Sequence, residues 1–301
     1  MAIEYAKILK AMRLPFVVIG RGEVTAKSFK EVTGVDVISG GINSWLKKQS
    51  SIPKVAIVAV SVDQLANTTK QLVKRGVSSI LLEKPGGLIG AEIKSVAQIA
   101  KQRGAGVYVA YNRRFYASVQ KAAEIIKKDR GVKSFVFEFT EWSHQIADLK
   151  LPDPIKKNWF LANSSHVVDL AFFLGGKPAR ISSYKSGALK WHPKGSVFSG
   201  AGVSSSGALF SYSANWAAPG RWGVEIMTSK HRLIFRPLEK LQIQNIGSVS
   251  IEEVPIDYKL EKEFKPGLYS QVRAFISNKK NIMTIDEQVK SLEYYNKILG
   301  K

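Results

Sequence analysis

The chain has 301 residues, 45% hydrophobic and 23% charged, and its 45 lysines and arginines against 24 aspartates and glutamates give a formal net charge of +21. This length exceeds a single core of the commonest size and predicts two domains, and the composition is that of an ordinary soluble globular protein. The chain shows no apolar run of about eighteen residues and no signal-peptide pattern. Its lack of cysteine excludes disulfides, thiolate catalysis and cysteine-ligated metal; together these features point to a cytoplasmic protein.

The predicted elements alternate regularly at first. Tyr5, Ile8, Leu9 and Met12 fall on one face of a helix, and Phe16–Ile19 is a short apolar strand. A helix over 25–32, a strand over 35–38 and a short helix over 43–48 follow. The nearly continuous apolar run Val55–Val60 has the pattern of a strand buried on both faces. Leu65, Thr69, Leu72 and Val73 mark the next helix, Ser79–Leu82 the next strand, and Ile89 to Ala100 a further helix closed by Gly104. Val107–Ala110 is again a strand, with a helix from Val119 to Ile126 after it. Strands alternating with helices predict parallel βαβ units in a doubly wound α/β sheet.

After Gly131 the pattern changes. Phe135, Phe137 and Phe139 alternate with polar residues, which predicts a half-exposed antiparallel strand. A helix over 161–174 is followed by five strand-like segments, 181–186, 196–204, 208–216, 223–228 and 231–236, readable as a meander. Helices over 268–277 and 286–299 complete the chain. The expected organisation is residues 1–130 as an α/β domain and residues 131–301 as an α+β domain on a mostly antiparallel sheet.

The positive charge is spread in pairs such as Lys47-Lys48, Lys127-Lys128 and Lys279-Lys280, with no block of five or six like charges. Such a diffuse field concentrates anions, and it suits phosphorylated cofactors and nucleotide-linked substrates better than DNA. No recognisable nucleic-acid-binding motif accompanies it. A lysine-rich proteome accounts for the same charge equally well.

The most informative stretch is Ser79-Ile80-Leu81-Leu82-Glu83-Lys84-Pro85, followed by Gly86-Gly87. A carboxylate, an amine and a proline stand where a buried strand surfaces, the edge at which open α/β sheets place their ligands. Proline fixes the exit turn, so that Lys84 is aimed. Tyr111-Asn112-Arg113-Arg114-Phe115 ends the next strand, and His166-Val167-Val168-Asp169-Leu170 lies on a helix. These three motifs, in this order and spacing across nearly the whole chain, resemble the Gfo/Idh/MocA oxidoreductases, the family of glucose–fructose oxidoreductase and inositol dehydrogenase.

The resemblance implies a Rossmann domain at 1–130 and a substrate and oligomerisation domain at 131–301. It also implies NAD(P)-dependent hydride transfer on a sugar, polyol or nucleotide sugar. Lys84 and His166 would be catalytic: the imidazole moves the hydroxyl proton, and the ammonium stabilises charge on the reacting oxygen. Arg21, Ser61, Glu83, Lys84, Pro85 and Asn112 would bind the cofactor. Arg21, at the end of the 16–19 strand, suits the 2′-phosphate of NADP in preference to NAD, and Lys27 and Lys30 would assist it. Arg113, Arg114, Asn163 and Asp169 would face substrate, Asp169 either orienting His166 or pairing structurally. Trp142, His144 and Lys157 are further substrate-side candidates. His192 and His231 have no carboxylate or histidine at ligand spacing, so no metal is expected. Homo-oligomers would form through the C-terminal sheet, and neither nucleic acid nor membrane is an expected partner.

The chain departs from the family in two places. The aspartate often found four residues before the histidine is Ala162 here. The family's opening strand, with the Gly-rich turn that cradles the dinucleotide diphosphate, has no counterpart before the first helix. Gly20-Arg21-Gly22 follows a strand, but counting back from Glu83 makes that strand the family's second. Either Met1 is an internal methionine taken as a start, or the chain is a variant with a damaged cofactor site. The alternative function is therefore a catalytically silent relative that acts as a binding or assembly protein.

Overall fold

Periodic apolar positions build the elements of the first 130 residues. In order they are α1 (Ala2–Ala11), β1 (Val18–Ile19), α2 (Glu23–Thr33), β2 (Val37–Ile38), α3 (Gly41–Lys48), β3 (Val55–Val58), α4 (Leu65–Lys74), β4 (Ser79–Glu83), α5 (Gly90–Arg103), β5 (Gly106–Ala110) and α6 (Ala117–Lys128). There follow β6 (Ser134–Glu138), α7 (Ser143–Asp148), α8 (Asp153–Lys157), α9 (Ser165–Gly175), β7 (Pro178–Ser186), β8 (Val197–Ser204) and β9 (Leu209–Asn215). The last elements are β10 (Gly223–Met227), β11 (His231–Phe235), β12 (Gln242–Asn245), β13 (Glu252–Glu253), α10 (Lys259–Glu263), α11 (Leu268–Ile276), β14 (Met283–Thr284) and α12 (Ile285–Ile298). This computed structural model describes residues 1–300.

The chain divides into two units, Met1–Ala110 with Lys262–Gln288, and Tyr111–Glu261 with Val289–Lys301. In the first unit the expected parallel sheet is present in two pieces. One is the parallel pair β1–β2; the other has the order β14-β5-β4-β3, parallel except for β14. Ile80, Leu81 and Leu82 are fully buried, as a central strand packed on both faces requires. Gly104 closes α5 in the left-handed region at φ 62°, where a residue without a Cβ is unstrained.

The second unit carries a continuous eight-stranded sheet of order β13-β12-β11-β10-β6-β9-β8-β7. The predicted meander is present as two runs, β7–β9 and β10–β13, separated by β6. That strand pairs antiparallel with β10 but parallel with β9, which corrects the purely antiparallel expectation for 135–139. The physical reason is long-range: alternation shows which face is buried but says nothing about neighbouring strand direction. Phe135, Phe137 and Phe139 are 0%, 3% and 0% exposed while Ser134, Val136 and Glu138 between them are only partly buried, the half-exposed alternation expected of this strand. Phe135 lies between Phe172 of α9 and Phe210 of β9, with ring centroids 5.9 and 5.2 Å away. A Cβ on Gly175 would overlap the Phe135 ring, so the end of α9 comes this close to the sheet only because that residue is glycine. The helix predicted over 161–174 opens with a π turn, Phe160–Ser164, before α9.

Candidate active site

Two groups of predicted residues are assembled, one in each unit. In the first unit Glu83 ends β4, and its Oε1 accepts a 2.7 Å hydrogen bond from the Tyr5 hydroxyl, tying the first turns of α1 to the carboxyl end of the sheet. Burial raises the Glu83 carboxyl above its ordinary value, against the Tyr5 hydrogen bond and the Lys84 charge. Lys84 then enters a tightly packed turn, with a cis peptide to Pro85. The Pro85 carbonyl accepts from Gln288 Nε2 at 3.0 Å, and the Leu88 amide donates to Glu92 Oε2 at 2.7 Å. A Cβ on Gly87 would meet Glu92 at 2.9 Å, so the turn lies directly on α5. Lys84 therefore leaves a backbone that is fixed on both sides.

Arg21 leaves β1 exposed, and its Cγ lies 3.2 Å from where a Cβ on Gly41 would stand, so that glycine gives the side chain room. Ser61, just beyond β3, hydrogen-bonds Asp63. Bonds from Gln64 and Ser61, with a smaller contribution from the Arg21 charge, lower the Asp63 carboxyl despite some burial. The loop ends after β1 and β3 thus share one electrostatic neighbourhood. Lys30 is paired with Asp36 at 2.6 Å on the surface, and Lys27 is exposed.

In the second unit Asn112, Arg113 and Arg114 form a 3₁₀ turn. Arg114 and Asp169 make a bidentate pair, Nε–Oδ2 at 2.8 Å and Nη2–Oδ1 at 2.6 Å, with side chains 8% and 2% exposed. His166 is 7% exposed, edge-on to Tyr111 at 5.7 Å and 6.3 Å from Trp222. The Tyr111 hydroxyl donates to Ser165 Oγ at 3.1 Å, beside the histidine. Arg113 stacks 4.7 Å from the Trp222 ring; burial lowers its pKa, and its Nε has no hydrogen-bond partner. Arg221 lies 4.8 Å from the same ring and 4.6 Å from Trp142.

The buried carboxylate among these cations, Glu141, is not apparent from the sequence. It is 2% exposed and accepts from Ser164 Oγ at 2.6 Å and Asn163 Nδ2 at 3.1 Å, with Arg221 3.7 Å away. Burial raises its pKa against those partners. Its only sequence signal is its place directly after the alternating Phe135–Phe139 strand. Asn163 is thereby committed to Glu141, while Ala162 lies buried in the π turn. His144 and Lys157 are exposed.

His192 and His231 each have a hydrogen-bond partner of their own. His192 Nδ1 is 2.8 Å from the Gly195 carbonyl, and burial lowers its pKa. His231 Nδ1 is 2.6 Å from Asp129, a carboxylate 102 positions away that no spacing rule could pair with it. Among the described residues no three potential ligands gather to hold a metal, and no helix is long and apolar enough to cross a membrane.

The strand ends of the first unit carry groups of a kind that suits a dinucleotide: Arg21 is an exposed cation after β1 and Ser61 a hydroxyl after β3, and Lys84 follows β4.

No family model matches the sequence, and no curated protein matches it significantly. Solved structures do. Levoglucosan dehydrogenase in complex with NADH is 17% identical, with TM-score 0.78 over 100% of this chain and 93% of its own. UDP-N-acetylglucosamine 3-dehydrogenase GnnA from Acidithiobacillus ferrooxidans is 13% identical, with TM-score 0.74 over 99% and 93%. The WlbA dehydrogenase from Bordetella pertussis, in complex with NADH and UDP-GlcNAcA, is 14% identical, with TM-score 0.74 over 98% and 90%. The parallel α/β unit, the large mixed sheet and these matches over nearly full length give the chain the Gfo/Idh/MocA two-domain fold.

Proposed function

We propose that the protein is an NAD(P)-dependent oxidoreductase acting on a hydroxyl or carbonyl of a sugar, polyol or nucleotide sugar, in the cytoplasm. The observation that carries this reading is Lys84, held at the carboxyl end of β4 by the packed 84–88 turn, in a fold shared with sugar and nucleotide-sugar dehydrogenases. In the oxidising direction a bound nicotinamide supplies the hydride acceptor. Lys84 donates a hydrogen bond to the substrate oxygen and offsets its developing charge. His166 takes the hydroxyl proton, within the shell formed by Tyr111 and Trp222. Arg21 favours NADP through the 2′-phosphate, with Ser61, Glu83, Pro85 and Asn112 as further cofactor-side residues.

On the substrate side, Arg113 and Arg221 present two guanidiniums around Trp222. Glu141, beside Arg221, offsets part of this charge, and an anionic substrate group would balance the remainder. The Arg114–Asp169 pair positions the turn that carries Arg113. The domains divide the work, residues 1–130 for cofactor and 131–301 for substrate. Subunits pair through the outer face of β7–β9, where Tyr184 and Leu209 are exposed.

A second reading, a silent binding or assembly protein, is favoured by Ala162, which stands where the family often carries an aspartate. Fluorescence titration with NADPH and NADH separates the two. Saturable binding, tighter for NADPH and weakened by Arg21→Ala, is expected of the enzyme, together with a loss of roughly 10²–10³ in kcat for Lys84→Met. A folded protein that binds neither nucleotide is the silent relative.

A further inference from the structure

A buried arginine is ordinarily held by an acceptor, as Arg114 is by Asp169. Arg113, one residue earlier, is held by rings instead. Its guanidinium stacks 4.7 Å from Trp222 and 6.0 Å from Tyr116. Among the described residues its side chain has no hydrogen-bond acceptor and no carboxylate at ion-pair distance, and its Nε is sealed from water. The indole Nε1 of Trp222, a residue 6% exposed, is a second buried donor without an acceptor. Arg221 stacks on the same ring at 4.8 Å, and its contact with Glu141, at 3.7 Å, is too long for a hydrogen bond. Guanidinium and indole can only donate, so three donor-only groups meet at one ring with no protein acceptor among them. Donors buried in this way are costly to leave unpaired, the charged ones most of all.

The local charge indicates the acceptor that suits them. Arg113 and Arg221 carry two positive charges, and Glu141, bonded by Ser164 and Asn163, offsets one of them when ionised. Glu239 is exposed and accepts from the Tyr116 hydroxyl at 3.4 Å. One positive charge is left, which a single carboxylate balances and a diphosphate exceeds. A carboxylate is also planar, and its two oxygens match the parallel N–H groups along a guanidinium edge. The Trp222 ring that carries Arg113 lies 6.3 Å from the His166 ring, within reach of one small molecule.

We infer that Arg113, Arg221 and the Trp222 indole form a carboxylate-binding subsite, and that the substrate is a sugar acid, its acid group on the guanidiniums and a hydroxyl presented to His166. The word substrate rests on the oxidoreductase reading; the subsite itself does not.

Titration calorimetry of the full chain, without nucleotide, tests the subsite. The probes are D-glucuronate and D-gluconate, each against its uncharged primary amide, and inorganic diphosphate. In the native protein at least one acid is expected to bind roughly tenfold or more tighter than its amide. Arg113→Gln should erase that difference, and Arg113→Lys should keep part of it. Equal binding of acid and amide, or no binding of either acid, would overturn the inference. So would a preference that survives Arg113→Gln in a protein of native Tm. Diphosphate binding tighter than both acids would also overturn it, because the subsite would then take phosphates. The acid–amide comparison is made on the native protein, so a variant that fails to fold does not obscure it. Nucleotide binding decides the oxidoreductase reading separately.

Discussion

The two sheets of this molecule solve the same problem differently. In the second unit β6 has a partner on each side, and its phenylalanines are buried between α9 and the neighbouring strands. In the first unit the parallel sheet stops at β1 and starts again at β3, with valines exposed along the break. Both use apolar, β-branched or aromatic strands, so composition does not distinguish them. What differs is continuity: eight strands pair in one unbroken order from β13 to β7, whereas the parallel strands fall into two pieces, β1–β2 and β14-β5-β4-β3.

The sharpest way to break the complete sheet is at its centre. Phe135→Ala removes a ring packed on Phe172 and Phe210, and a loss of about 3–5 kcal/mol is expected. Denaturant unfolding followed at the tryptophans, all but one of which lie in the second unit, would measure it. A cost below about 1 kcal/mol would mean that this sheet is no better consolidated than the split one.

Next in size is the buried ion pair. Arg114→Ala leaves the Asp169 carboxylate, 2% exposed, without its fork of donors, and roughly 3 kcal/mol or somewhat more should be lost. Arg114→Lys should recover part of this, because one ammonium replaces two parallel hydrogen bonds. Thermal melts of the two variants check the order.

The smallest expected effect is acid sensitivity at the α6–β11 contact. Burial opposes the Asp129 carboxylate, yet hydrogen bonds from His231 and Thr228 outweigh it and hold its pKa below the ordinary 3.8. A depressed carboxyl stabilises the fold above pH 3.8 and loses that contribution as the pH falls through its folded value. Stability of the native protein should therefore decline more steeply below pH 3.8 than that of Asp129→Asn. Parallel acid-unfolding curves would remove Asp129 from this account.

Much of this architecture was legible in the residues. The apolar runs at 55–60 and 79–82 and the alternation at 135–139 are local patterns, and strands lie there at 55–58, 79–83 and 134–138; the first is not buried on both faces as expected, since Val55 and Val60 are exposed. The Glu83-Lys84-Pro85 edge was legible because a charged pair after a buried run has to surface. β13 and β14 span two residues each, too short for any period to register. Glu141 escaped notice because a carboxylate at a strand end reads as solvated until Ser164, Asn163 and Arg221 are brought around it.

The sequence by itself determined the order of helices and strands and the change of pattern near residue 131, since each depends on neighbours within a few residues. Tertiary structure alone decided which edges stay open, that β6 runs parallel to β9, and that Asp129 meets His231 and Asp169 meets Arg114. Those outcomes depend on burial and on hydrogen-bond partners tens to a hundred residues away, and such contacts leave no period in the chain.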